Sequence, residues 1–292
     1  MKKLSYISAP LWQGAETRGV EKAPQVLIEA GVDVILQQYF DVSHIQIPEL
    51  TTDIDNNNKY EILAQYLKEV KNIVSTCQQS GTVPLVVGGD HSIGLASVAA
   101  SAENYDNHGL IWFDAHGDMN TEATSPTGHI HGMPVAAIMG FCKSELNNIP
   151  TRHVNPQNIF WIGARSLDEG EQELAKRLYL NIYSTDYIHQ VGMQSVMQDI
   201  KEKIEAQYIQ HLHLSFDVDA FDPTLFPATG VPEQNGLSMN DFNLFSAALP
   251  SLPDLIAIDF VEYNPTLDHK DMRYGQFAIN LLNTMLFYKF SR

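Results

Sequence analysis

Short apolar, β-rich runs alternate with amphipathic windows along the whole chain. LSYISA (4–9), VDVILQ (32–37), VPLVVG (83–88), GLIWFD (109–114), NIFWIG (158–163), LNIYS (180–184), LHLSFDV (212–218) and LIAIDFV (255–261) each read as a strand. Between them, YEILAQYLKEVKNIVSTCQQ (60–79) and QSVMQDIKEKIEAQYI (194–209) space their apolar residues as amphipathic helices do. Strand runs bounded by Gly, Pro or Asp and separated by helices predict βαβ units, hence an α/β protein with a mostly parallel sheet. No Ser/Gly linker, repeat or low-complexity tract divides residues 1–292, so one domain is expected, with DIDNNN (53–58) as a surface loop.

The chemistry-bearing residues gather where the predicted strands end. VPLVV runs into GGDHS (88–92), LIWF into DAHGD (114–118) and LHLSF into DVDAFDP (217–223). NIFWIG runs into ARSLDEGE (164–171), and LIAIDF into VEYNP (261–265). In open parallel sheets, functional groups sit in the crevice beyond the carboxyl ends of the strands. Strand alternation puts Leu212, Leu214, Phe216 and Val218 on one face and Asp217 and Asp219 on the other, provided the strand lasts that far. His211 and His213 share the acidic face upstream of the strand's end and are read as structural, packed beside a helix.

Four carboxylates and two imidazoles thus converge from three strand ends: His91, Asp114, His116, Asp118, Asp217 and Asp219. Four buried anions side by side are strongly unfavourable without cations. Two divalent ions would balance them, and an oxygen-rich donor set with imidazole and no thiolate suits Mn²⁺ better than structural zinc. A two-metal hydrolytic centre, with the ions about 3.5–4 Å apart and a shared water as nucleophile, is the chemistry such a set supports.

Composition narrows the remaining classes. The formal net charge of −17 opposes binding to phosphate backbones, so nucleic acid is not an expected partner. Two cysteines, Cys77 and Cys142, lie far apart in no metal-like spacing, which suits a reducing compartment. The opening MKKLSYISAPLW is broken by Ser5, Ser8 and Pro10 and lacks a cleavage pattern, so it reads as a first strand rather than a signal peptide. No run reaches the roughly 18–20 apolar residues of a membrane span, and a cytoplasmic location with no membrane partner is expected.

The segments GGDHS, DAHGDMNTEATSPTGHIHGMP, SFDVDAFDP and VEYNP, with RGVEKAP (18–24) and IGARSLDEGE (162–171), resemble the motifs of the arginases within the ureohydrolase family. The resemblance runs from about Ile7 to Asn264, in the family's order and spacing. It implies a three-layer α/β/α fold and two Mn²⁺ per subunit, cleaving L-arginine to L-ornithine and urea by attack of a hydroxide that bridges the metals. It places His91 and Asp118 on one ion and His116 and Asp219 on the other, with Asp114 and Asp217 bridging and Asp219 also orienting the nucleophile. Glu262 would pair with the guanidinium, and His131 would shuttle the proton to the leaving amine. Asn120 and Thr127 would hold the substrate carboxylate, and Asp168 and Glu171 its α-amino group. The family also implies a homotrimer or homohexamer.

Two positions depart from the family pattern. His129 stands where arginases usually carry Asn in the loop that meets the carboxylate, and Val231 replaces a threonine typical of the segment near Glu262. EQNGLS (233–238) also differs from the usual glycine-rich continuation. Alternatives are a ureohydrolase for guanidinobutyrate or agmatine, and a non-catalytic metal-binding relative. A plainer reading of Asp168 and Glu171 is as helix N-terminal acids favoured by the dipole.

Overall fold

The computed structural model describes residues 1–52, 54–55, 57–143 and 145–291. Asp53 and Asn56 of the expected 53–58 loop therefore lie outside the described residues. Eight strands form one sheet: β1 (Lys2–Ala9), β2 (Phe40–Gln46), β3 (Val83–Gly88), β4 (Gly109–Phe113), β5 (Ile159–Ile162), β6 (Asn181–Tyr183), β7 (His211–Asp217) and β8 (Asp254–Val261). Their order is β2-β1-β3-β8-β7-β4-β5-β6, and every pairing is parallel. The helices are α1 (Ala23–Glu29), α2 (Val32–Leu36), α3 (Lys59–Gln79), α4 (Ser92–Asn104), α5 (Pro134–Ile138), α6 (Glu169–Leu178), α7 (Thr185–Val191), α8 (Met193–Ala206), α9 (Met239–Ala248) and α10 (Arg273–Phe290).

Strand alternation splits the core into two. Phe113 of β4, Leu214 and Phe216 of β7 and Phe260 of β8 pack with Leu27, Leu36, Met197, Phe242 and Leu282 from α1, α2, α8, α9 and α10. Trp112 of β4, Val86 of β3 and Trp161 of β5 pack with Leu67, Val98, Ala136 and Leu174 from α3, α4, α5 and α6. A parallel sheet covered on both faces is the expected three-layer arrangement.

One predicted strand is a helix. VDVILQ was expected to alternate, which would set Val32, Val34 and Leu36 on one face. Instead Val32 and Leu36 are fully buried while Val34 is 67% exposed, a spacing of four that belongs to a helical turn. Gly31, in the left-handed region at φ 91°, starts that turn. The edge strand in its place is β2, FDVSHIQ, whose polar residues face solvent and carry little hydrophobic signal. A second expectation fails at β7. The strand ends at Asp217, and Val218–Ala220 forms a 3₁₀ turn, so strand periodicity positions Asp217 but not Asp219.

The polar face of β7 is built as anticipated for His213. Its Nε2 lies 2.9 Å from Asp259 Oδ2 on β8, and its Nδ1 lies 2.8 Å from Ser101 Oγ on α4. Ser97 Oγ, also on α4, donates to the same Asp259 oxygen at 2.7 Å. His211, lower on the face, packs its ring on Tyr105. This buried network fixes α4 against β7 and β8, three elements whose ends carry site residues.

Candidate active site

The loop after β4 is folded by its own acids. His116 N–H donates to Asp114 Oδ1 at 2.7 Å, and Asp114 N–H extends the sheet to Ile162 O at 3.0 Å. Asp118 takes the left-handed conformation, φ 48°, where a short polar side chain is tolerated. Met119 N–H donates to Glu171 Oε1 at 2.9 Å, and Asp168 N–H to Glu171 Oε2 at 2.8 Å. Glu171 thereby caps α6 and ties it to the loop. Gly117 lets it in, because a Cβ there would run into the Glu171 carboxylate. Across the site, Asp219 N–H donates to Asp217 Oδ1 at 2.8 Å, so the 3₁₀ turn brings both acids inward.

His91 is fixed on three sides. Its ring stacks on Trp112 with centroids 4.0 Å apart and planes 6° off parallel, and its Nε2 lies 2.9 Å from Ser215 Oγ. Its N–H donates to Glu262 Oε1 at 2.9 Å. The ring's Nδ1 is left facing Asp114 Oδ2 at 2.8 Å, Asp217 Oδ2 at 3.1 Å and Asp118 Oδ2 at 3.3 Å. On the other side of Asp114, His116 Nδ1 lies 2.9 Å from Asp219 Oδ2 and 3.6 Å from Asp114 Oδ1. Two groups able to hold an ion result, His91–Asp114–Asp118 and Asp114–His116–Asp219, and they share Asp114.

The electrostatics favour cations here. Asp118 and Asp217 are pushed well above their ordinary value by burial and then by neighbouring acids, Asp114 foremost for Asp118 and Asp219 for Asp217, while burial also raises Asp219 against the opposing charge of His116. Asp114 goes the other way: burial works against ionisation, but the close imidazoles of His116 and His91 outweigh it. Both His91 and His116 are raised well above the ordinary imidazole value, their acidic neighbours overcoming burial. His91 Nδ1 and Asp118 Oδ2 are buried with no hydrogen-bond partner among the described residues, although they lie close together. Donor atoms that converge without bonding to one another fit a shared ion.

Above this floor opens a cavity of about 380 Å³. Every site residue singled out in the sequence lines it except Asp114, which is buried beneath. Glu262, at the end of β8, holds φ 64° and offers Oε1 to His131 Nδ1 at 3.2 Å. Burial would lower the His131 pKa, but the hydrogen bond and charge of Glu262 raise it. On the opposite wall, Asn120 Nδ2 donates to Asp168 Oδ2 at 2.7 Å. Thr127 Oγ1 accepts from His129 N–H at 3.1 Å, and His129 Nε2 lies 3.9 Å from Glu16 Oε2. Burial and then His131 lower the His129 pKa.

Sequence reasoning passed over four residues. Asp90 accepts from the Gly14, Ala15 and Ser92 N–H groups, and Gly14 O in turn accepts from His131 N–H. Its pKa is pushed up to about 6 by burial and then by Glu262. Arg165 donates to the carbonyls of Gly163, Asp219, Ala220, Phe221, Glu233 and Gln234. Ser166 and Glu233 line the cavity and bond to each other at 3.1 Å. Arg165 and Ser166 stood within the IGARS segment, the signal that would have found them.

An all-parallel α/β sheet with this His/Asp floor defines an α/β protein whose site is able to hold metal ions. Comparison with known proteins makes the class specific. The family described as "Arginase family" matches residues 2–287, and the chain belongs to it. An arginase of Brevibacillus brevis is 35% identical over 97% of each chain. An arginase of Bacillus subtilis (strain 168) is 35% identical over 98% of each. Among solved structures, the chain is similar to an Entamoeba histolytica arginase in complex with L-ornithine, with TM-score 0.91, 30% identity and 98% of each chain covered. It is an arginase-family enzyme. Among the described residues, no helix is long and apolar enough to cross a membrane.

Proposed function

We propose that the chain, acting as a single catalytic domain, hydrolyses the guanidino group of L-arginine to L-ornithine and urea with two Mn²⁺ per subunit. The observation that carries this reading is the pair of His/Asp groups sharing Asp114 beneath a cavity whose wall presents Glu262 and His131. His91 and Asp118 would hold one ion and His116 and Asp219 the other, with Asp114 and Asp217 between them. When bound, the ions supply an acidified water as nucleophile and balance the buried acids.

Glu262 provides the counter-charge that turns the guanidinium toward the floor, its Oε1 already held by His91 N–H and His131. His131 keeps a proton at Nδ1 against Glu262 and, being raised above its ordinary pKa, is ready to give a proton to the departing amine. At the far end, Asp168 faces the α-ammonium, with Glu171 beside it. Asn120, Thr127 and His129 face the carboxylate. The likeness to an arginase with L-ornithine bound supports that amino-acid end. Val231, partly exposed on the wall, offers no hydroxyl there, and the imidazole of His129 is bulkier than an amide. These two residues favour the second reading, another guanidino substrate such as guanidinobutyrate or agmatine.

Urea release from L-arginine, agmatine and guanidinobutyrate, measured in parallel after incubation with Mn²⁺, separates the readings. Preferred turnover of arginine is expected, and silence on it with metal bound would sink the proposal. A homotrimer or homohexamer in the cytoplasm completes it, and the buried free thiols of Cys77 and Cys142 suit a reducing compartment.

A further inference from the structure

The His116 ring is engaged on one side only. Its Nδ1 faces Asp219 and Asp114, the ion side under the reading above. A neutral imidazole that gives Nδ1 to a cation carries its proton on Nε2, so Nε2 must donate. That atom is buried and has no hydrogen-bond partner among the described residues. Metal-binding histidines ordinarily hand this second N–H to a carboxylate, carbonyl or water, which fixes the ring and strengthens the ligand.

Glu233 Oε1 stands 3.8 Å from His116 Nε2. It is held there rather than drifting at the rim. Ser166 Oγ donates to the same oxygen at 3.1 Å, and Ser166 pairs with His116 in a parallel β-bridge. Arg165 donates to Glu233 O at 2.9 Å and also to Asp219 O at 2.8 Å. One guanidinium therefore ties the backbone of Glu233 to the turn that carries a proposed ligand of the same ion. The Glu233 side chain is 37% exposed, which leaves it room for the small rotation that closes the gap.

We propose that Glu233 is a positioning residue for His116. Its Oε1 accepts the Nε2 proton, sets the ring with Nδ1 toward the floor and tightens the hold on the ion shared with Asp219. The inference rests on the two-ion reading. It is tested by stripping the full-length protein with a chelator, titrating it with Mn²⁺ by calorimetry and counting bound metal after gel filtration. Wild type is expected to take up two ions. Glu233→Ala is expected to weaken one uptake step about 10- to 100-fold, whereas Glu233→Gln, whose amide oxygen accepts the same proton, stays close to wild type. Ser166→Ala, which loosens the same oxygen, gives a smaller loss in the same step. Unchanged uptake in a folded Glu233→Ala protein overturns the inference and leaves the two-ion reading standing, also when its KM for arginine rises. A wild-type protein that binds fewer than two ions overturns that reading and the inference with it.

Discussion

His131 and Glu262 show how much one pair decides. Replacing His131 by Asn keeps a hydrogen-bonding side chain beside Glu262 but removes a group that titrates near neutrality. Turnover should fall by about 10²–10⁴ while Mn²⁺ uptake, followed by metal analysis, stays at the wild-type level. Lost uptake would instead make His131 part of the metal floor. Gly117 makes the opposite kind of demand, for absence of a side chain. Gly117→Ala should cost about 1–3 kcal/mol, read as a lower denaturant midpoint, because its methyl displaces Glu171 from two backbone N–H groups. At this scale the sequence was legible where a residue's chemistry is unusual for its place: acids and histidines at the ends of apolar strands. It placed Arg165 and Asp90 inside quoted segments but gave them no role, because their hydrogen bonds go to carbonyls and N–H groups that every sequence possesses. Glu233 was missed for another reason, since it sits in the loop between Ala220 and Met239 and not at the end of a strand.

Among the elements, the buried strands declared themselves and the edge did not. Runs such as GLIWF and IFWI are covered on both faces, so nearly every residue is apolar. β2 is covered poorly, and its polar residues erased the signal that VDVILQ seemed to supply by composition alone. Asp219 reached the site by a turn whose geometry depends on a hydrogen bond to Asp217, which periodicity cannot foresee. The His213–Asp259 contact makes an element-level prediction. Both residues are fully buried, so Asp259→Asn trades a charged acceptor for an amide among α4, β7 and β8. A loss of about 3 kcal/mol is expected, measured by chemical denaturation with an unchanged m-value. A loss within error would mean that the network is ornamental to stability.

For the whole molecule, acids buried against one another make stability depend on what binds them. Free Mn²⁺ at about 100 times its dissociation constant should add about 2.7 kcal/mol per site, so the melting temperature should rise with Mn²⁺ and fall on chelation. A melting temperature indifferent to both would remove the case for the metal floor. Acid should act through His108 as well. It is buried, and burial followed by the charge of His213 depresses its pKa to about 4. Its folded value lies below the unfolded value of about 6.5, so the stability of the neutral form is present above about pH 6.5 and lost as pH falls through 4. His108→Gln should flatten the stability slope over that window.

Glu171 joins the start of α6 to the loop that carries Asp118, and Gly117 makes the joint tight. The floor of the cavity and the wall bearing Asp168 are therefore joined directly through one carboxylate, and two hydrogen bonds set the span between them. Such a cavity measures length. Under the proposed function, an arginine homologue with one methylene more or fewer is expected to seat its guanidinium or its ammonium, but not both. Its kcat/KM should fall by about 10- to 200-fold, whichever direction the chain is changed.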